Sequence, residues 1–217
     1  MRLTVFGATG RTGRPLVEQA VARGHEVTAF VRDPSSLPAE LRDDRVRVVE
    51  GDVYTGEGVE RAIVGDGTPA DAVVSVLGQR SEGPDDLLTR AGGHVLDAMN
   101  RGDVERFVTL VGAGVREEGE SVSLGGRVMG TLLKLLARSV LEDARDHVET
   151  VRGSDTDWTV VRAPRLTEGD HTGEFVHGTD IELGVRATAA RANVAEFVLD
   201  CIEEDLYVRE MPKVADA

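Results

Sequence analysis

"TVFGATGRTG", residues 4–13, places Gly7, Gly10 and Gly13 within seven positions, directly after the first apolar run of the chain. Glycine weakens a strand or a helix interior, so three of them here need a local reason. Leu3 to Phe6 read as a strand, and from about Arg11 the apolar positions Leu16, Val17, Ala20 and Val21 recur at helical spacing. A turn that joins strand to helix and receives a diphosphate must bring main chain close to the ligand and aim amide N–H groups at it. It must also let the helix seat tightly on the strand. A Cβ at any of the three positions would obstruct one of those demands. The spacing G-x-x-G-x-x-G departs by one residue from the G-x-G-x-x-G dinucleotide fingerprint, and three glycines in a tight turn can be purely structural. The strand before, the helix after and a second strand ending about 20 residues later supply the context a nucleotide site requires.

That second strand ends "TAFVRD" (28–33), and its end decides which nucleotide is expected. An acid there would accept hydrogen bonds from a ribose 2′-hydroxyl, whereas Arg32 presents a planar cation suited to a 2′-phosphate. The expectation is NADP(H) over NAD(H). The other reading makes Arg32 a surface arginine and gives the ribose to Asp33, but Pro34 turns the chain away at once.

Outward from the turn, apolar runs rich in Val and Phe recur: 2–6, 26–31, 45–51, 70–78, 105–112 and 157–163. Between them lie stretches with apolar residues three and four apart, such as "VERAIV" and "RANVAEFVLDCIEEDL". Strand alternates with helix from end to end, which predicts an α/β fold: a doubly wound, mostly parallel sheet of Rossmann type with helices on both faces. The 217 residues suit one domain, with substrate-side elements expected around 115–145 and 164–190. Ligands should sit at the carboxyl ends of the strands, at the switch point of the winding.

The bulk properties remove several function classes. Net charge is −14 with no local basic cluster, which speaks against nucleic acid or an anionic membrane as the main partner. The start of the chain lacks a secretory signal, and "VMGTLLKLLARSVL" is broken by Lys134 and Arg138, so a cytoplasmic location is expected. Cys201 is the only cysteine, which excludes an internal disulfide and a multi-cysteine metal site. Only Lys134 and Lys213 are lysines. Abundant carboxylates with so little lysine fit an acidic surface suited to high salt, although high-GC codon usage gives the same arginine bias. No Walker sequence or G-x-S-x-G elbow occurs.

With these stretches in view the chain resembles the atypical short-chain dehydrogenase/reductases of the NAD(P)H-binding, NmrA-like group, which includes biliverdin-IXβ (flavin) reductase-like and sugar-nucleotide-epimerase-like proteins. The resemblance runs through "GATGRTG" (7–13), "RGHEVTAFVRDP" (23–34), "VEGDV" (49–53), "DAVVSVLG" (71–78), "VERFVTLVGAG" (104–114), "VETVRGSDTDWTVVRAPRL" (148–166) and "RANVAEFVLDCIEE" (191–204). It implies that Thr9, Gly10, Arg11 and Thr12 line the pyrophosphate and that Asp52 and Val53 border the adenine. It further implies that Leu77 and Gly78 lie by the nicotinamide ribose and that Arg162, Ala163 and Pro164 border the nicotinamide. Read without the resemblance, Asp52 caps a following helix and Pro164 ends a strand.

The departures from the family matter as much. Where such proteins usually carry a serine pair after the fifth strand, this chain has Val111 and Gly112, and "LEDARDHVETVR" (141–152) contains neither member of the usual Tyr-x-x-x-Lys pair. A carbonyl reductase's side-chain proton donor is therefore missing. Hydride transfer to a flavin, quinone or similar conjugated small-molecule acceptor mainly needs orientation, and water can supply the proton. The alternative is a noncatalytic NADP(H) sensor, and epimerase-like chemistry comes third. His147, on the helix that lacks the pair, is a candidate general acid, but its neighbours Asp143, Asp146 and Glu149 suggest a solvated face. His171 and His177, with Glu168, Asp170 and Glu174, match no metal-ligand spacing; they read as a loop on the substrate wall, and no metal is expected. The apolar segment 124–141 reads as a core helix with a partial lid. The sequence allows a monomer or a homodimer.

Overall fold

The computed structural model describes residues 1–65, 67–78, 83–116 and 138–217. Among the described residues eight strands form one sheet, in the order β3-β2-β1-β4-β5-β6-β10-β8. The strands are β1 (Arg2–Phe6), β2 (Glu26–Val31), β3 (Val46–Glu50), β4 (Ala72–Ser75), β5 (Arg106–Gly112), β6 (Asp157–Ala163), β8 (Phe175–Gly178) and β10 (Lys213–Asp216). The first six run parallel in the 3-2-1-4-5-6 order of a dinucleotide-binding fold, so the winding reverses between β1 and β4. Two short strands, β7 (Arg165–Thr167) and β9 (Thr188–Ala190), pair parallel beside the sheet.

Alternation along each central strand feeds two separate cores. Val5, Val108, Leu110 and Val161 face the helices α1 (Gly13–Ala22) and α5 (Arg191–Glu203), while Phe6, Phe107, Val111 and Val160 face α2 (Val59–Val64), α3 (Leu87–Arg101) and α4 (Arg138–Arg152). Burial on both faces is why these strands read as nearly continuous apolar runs. The helices α1 and α5 lie side by side and parallel: Gln19 Nε2 donates to Ala192 O at 2.9 Å, and further along Arg23 pairs with Asp200 at 2.8 Å and Glu203 at 2.7 Å. Both helices therefore present their N-termini at the carboxyl end of the sheet.

The α3–α4 contact holds a buried polar arrangement. Leu88 and Thr89 N–H, at the start of α3, donate to the Asp143 carboxylate of α4 at 2.8 and 2.9 Å, and Thr89 Oγ1 donates at 2.7 Å. A carboxylate from a neighbouring helix thus caps amides that the N-cap residue Asp86 leaves without a side-chain partner. One turn along α4, His147 is 2% exposed, with Nε2 3.0 Å from Thr109 Oγ1 of β5. Its ring fills the space left by Gly92, where a Cβ would lie 2.4 Å from Nδ1.

These two residues overturn the solvated-face expectation for α4. Burial dominates the local electrostatics and lowers the imidazole to about 4, against the opposing pull of the Asp143 charge. A neutral ring this well covered has no route for handing a proton to a bound acceptor. The C-terminal region differs from expectation as well. "FVHG" (175–178) forms an edge strand, antiparallel to β10, in place of a loop, and His177 stacks on Phe197 with ring centroids 4.6 Å apart while Nδ1 meets Tyr207 OH at 2.8 Å. His171 pairs with Glu196 at 2.7 Å. Among the described residues no group of histidines, cysteines and acids could hold a metal ion, and no helix is long and apolar enough to cross a membrane. Cys201 is buried, with burial the leading cause of a thiol pushed up to about 12. Most of the apolar segment expected as core and lid, 124–137, lies outside the described residues.

Candidate functional site

The glycine turn closes on itself and against β4. Gly10 N–H donates to Gly7 O at 2.8 Å, and Arg14 N–H donates to Gly10 O at 3.0 Å. Gly7 adopts φ +88°, and a Cβ there would lie 2.9 Å from Val76 O. At Gly13 a Cβ would fall 2.0 Å from Gly7 O, so glycine alone lets α1 sit this close to the turn. At Gly10 the nearest atom would be Gly7 O at 3.0 Å, leaving the other directions clear for a ligand.

The start of α1 carries no local side-chain partner for its amides. Thr12 is its N-cap but makes no side-chain capping bond, and no acid stands in the first turn, so the helix's leading amides and positive dipole end are not neutralised locally. Thr12 itself is 6% exposed, and its side chain is mostly withdrawn from the surface. Arg11 projects outward, 75% exposed, and reaches Glu168 at 3.3 Å. The same Glu168 oxygen takes Arg191, at the start of α5, at 3.0 Å.

At the carboxyl ends of β2 and β3 lies a cleft of about 430 Å3 lined by Arg32, Glu50, Gly51, Asp52, Glu57 and Arg61. The carboxylate of Asp33 is taken by Ser35, from N–H at 2.8 Å and Oγ at 2.8 Å, and these bonds hold it below the usual carboxylate range. Asp52 accepts Tyr54 N–H at 2.8 Å and forms an isolated bridge with Glu57. It therefore caps a turn rather than a helix, and Val53 is buried behind it. A larger concavity of about 570 Å3, lined by Thr4, Thr28, Arg47 and Ala62 among others, opens at the amino ends of the strands, away from the switch point.

At the centre of the sheet, Leu77 and Gly78 follow β4, with Gly78 exposed. Gly112 ends β5, and among the described residues a Cβ at either glycine would meet nothing within 4 Å. Ala163 is buried at the end of β6, and Pro164 follows it. Arg162, expected to border the nicotinamide, has a fully buried side chain, with Nε donating to Met211 O at 2.8 Å and a terminal nitrogen to Val115 O at 3.3 Å. It braces the strand ends from within. The elements thus bring Gly7 to Gly13, Arg32, Asp52, Leu77, Gly78, Ala163 and Pro164 to one edge of the sheet, whereas His147 and the Arg162 side chain lie in its interior. Sequence reasoning missed Glu50, Glu57 and Arg61 as lining residues of this cleft: Glu50 lies within "VEGDV" (49–53), and the other two follow it by a few residues.

A family model described as NAD(P)H-binding matches residues 7–205, from the first glycine of the turn to beyond α5. The chain belongs to the NAD(P)H-binding family. Over 116 residues it is 31% identical to the uncharacterized protein YwnB of Bacillus subtilis, covering 52% of this chain and 48% of that one. It thus spans about half of the Bacillus protein. The chloroplastic protein At2g34460 of Arabidopsis thaliana is 26% identical over 218 residues, 94% of this chain and 72% of the plant protein. Among solved structures, a wide-type short-chain dehydrogenase/reductase of Veillonella parvula in complex with NADP superposes with a TM-score of 0.81 at 18% identity, over 99% of this chain and 94% of the other. At that identity the likeness shows the fold.

Proposed function

We propose that the protein is an NADP(H)-dependent reductase that passes hydride to a flavin, quinone or similar conjugated acceptor. The observation that carries this reading is the bare floor at the ends of β4 and β5. Among the described residues nothing lies where a side chain at Gly78 or Gly112 would begin, which supports a flat acceptor set against a nicotinamide ring at these strand ends. Neither tyrosine of the sequence supplies the missing proton donor: Tyr54 bonds Asp86 at 3.0 Å beside the adenine-side turn, and Tyr207 bonds His177 at the far edge strand. A bound reduced nicotinamide supplies the hydride, and the accompanying proton comes from water. The chain's own work is to hold the diphosphate on the turn and to keep the acceptor face open.

The preference for NADP(H) rests on Arg32, exposed on the adenine-side cleft, and on the engagement of Asp33 by Ser35, which leaves that acid poorly placed to take a ribose hydroxyl. We expect NADPH to bind more tightly than NADH, and Arg32→Ala to erase the difference with a loss of about tenfold or more in NADPH affinity. Calorimetric dissociation constants for both coenzymes on both chains check this; equal affinities in the wild type would end the 2′-phosphate reading.

Turnover is tested by NADPH consumption with FMN and a quinone panel, which should disappear when Gly10 is replaced by a bulky residue. The lack of a side-chain proton donor also supports a second reading, a dinucleotide sensor, and tight NADPH binding with no consumption across the panel would favour it. Epimerase-like chemistry would need the Tyr/Lys pair that "LEDARDHVETVR" lacks.

A further inference from the structure

The adenine-side cleft holds a second guanidinium that the fold has placed with some care. Arg61, in α2, turns back across Gly58 to donate an N–H to Glu50 O at 2.7 Å. Gly58 has φ +78°, and a Cβ there would lie 2.7 Å from Glu50 O and 3.2 Å from the Arg61 guanidinium, so glycine clears the path the arginine follows. One donor is spent on the main chain. Arg61 lines the same cleft as Arg32, and among the described residues neither arginine forms an ion pair, although Glu50 and Glu57 border the same space.

Two guanidiniums without ion-pair partners in one cleft leave N–H donors for a doubly charged phosphate. The planar fork of each matches phosphate oxygens, and tying one nitrogen of Arg61 to Glu50 O fixes its plane in advance. Charge balance shows what the second arginine contributes. Counting the ionisable residues that line the cleft, Arg32 and Arg61 face Glu50, Asp52 and Glu57, a formal charge of −1. Without Arg61 the balance is −2, and a phosphate would enter a space dominated by carboxylates.

We propose that Arg61 is the second half of a two-arginine clamp on the cofactor's 2′-phosphate, and so a determinant of the choice between NADP(H) and NAD(H). This rests on the NADP(H) reading given above. The test is calorimetric titration of the full chain with NADPH and with NADH, for wild type, Arg61→Gln, Arg61→Lys and Arg32→Ala.

Arg61→Gln is expected to weaken NADPH by about tenfold or more and to move NADH by less than about twofold. Arg61→Lys, which keeps the charge and loses the fork, should fall between. A parallel loss for both coenzymes, the signature of an arginine that merely holds the 50–58 turn, would overturn the clamp. So would a wild-type preference that survives Arg61→Gln and vanishes only in Arg32→Ala, an outcome that leaves the NADP(H) reading standing. Equal wild-type affinities would remove that reading itself.

Should the Arg61 variants fail to fold, the wild-type chain still answers through its arginine side-chain Nε–H resonances, followed by NMR during titration. Two of them should shift with 2′,5′-ADP and stay still with 5′-AMP; a response from one alone contradicts the proposal.

Discussion

A Gly13→Ala chain is expected to lose about 3 kcal/mol of stability and to bind NADPH on the order of a hundredfold more weakly. The added methyl would sit 2.0 Å from Gly7 O, 2.7 Å from the Gly7 carbonyl carbon and 2.8 Å from Ala8 Cα, all of them main-chain atoms. No side chain can swing aside, so α1 must back away from the turn. That movement also opens the contact of Leu16, Val17 and Ala20 with the sheet. It carries the helix's leading amides away from where the diphosphate is expected to rest.

Gly10→Ala provides the contrast, because its methyl would touch only Gly7 O, at 3.0 Å. Its melting temperature should stay close to wild type while NADPH affinity falls, since the methyl projects toward the ligand's side of the turn. Thermal melts and titrations on the two variants therefore separate helix packing from ligand approach. A Gly13→Ala chain with wild-type melting would refute the packing account, and a Gly10→Ala chain with wild-type affinity would refute the close-approach account.

The parts of the fold that could be read in the sequence are those governed by local rules. The bounds expected for β1, β2 and β6 coincide with the observed ones, because burial on both faces makes each an unbroken apolar run ended by a turn or a polar residue. The strands that were missed, "KVAD", "FVHG", "RLT" and "TAA", are three or four residues long and gain their identity from partners distant in the chain.

The site divides in the same way. The glycine turn declares itself through spacing, and Arg32 through its place after β2. Arg61 could not be seen, because only the fold-back across Gly58 brings a residue of "VERAIV" to the cleft. The burial of Arg162 could not be read either, since the main-chain carbonyls of Met211 and Val115 that take its guanidinium are distant in the chain. For α4, acids at 143, 146 and 149 looked like a wet face. Asp143 is in fact spent on the α3 amides, and the one signal for a buried His147 was the glycine pair of "AGGHV" on a different helix.

Acidification should destabilise this protein through that histidine, by about 3 kcal/mol between pH 6.5 and about 4. The sign follows from where the proton binds. In the unfolded chain the imidazole takes up a proton as pH drops through its ordinary value near 6.5, whereas in the folded chain it resists until about 4 because burial disfavours the charged ring. Its contribution is complete above the unfolded value, diminishes as pH falls through this window, and is gone below the folded one. Carboxylates titrate over part of the same range, so the measurement is a difference: urea unfolding of wild type and His147→Leu at steps from pH 7.5 to 4. The leucine chain should start less stable, because it leaves Thr109 without its ring partner at 3.0 Å, and the gap should narrow by about 3 kcal/mol as pH falls. A gap that stays constant with pH would mean that the folded ring titrates normally. In that case His147 has access to water, and its claim to be a proton donor reopens.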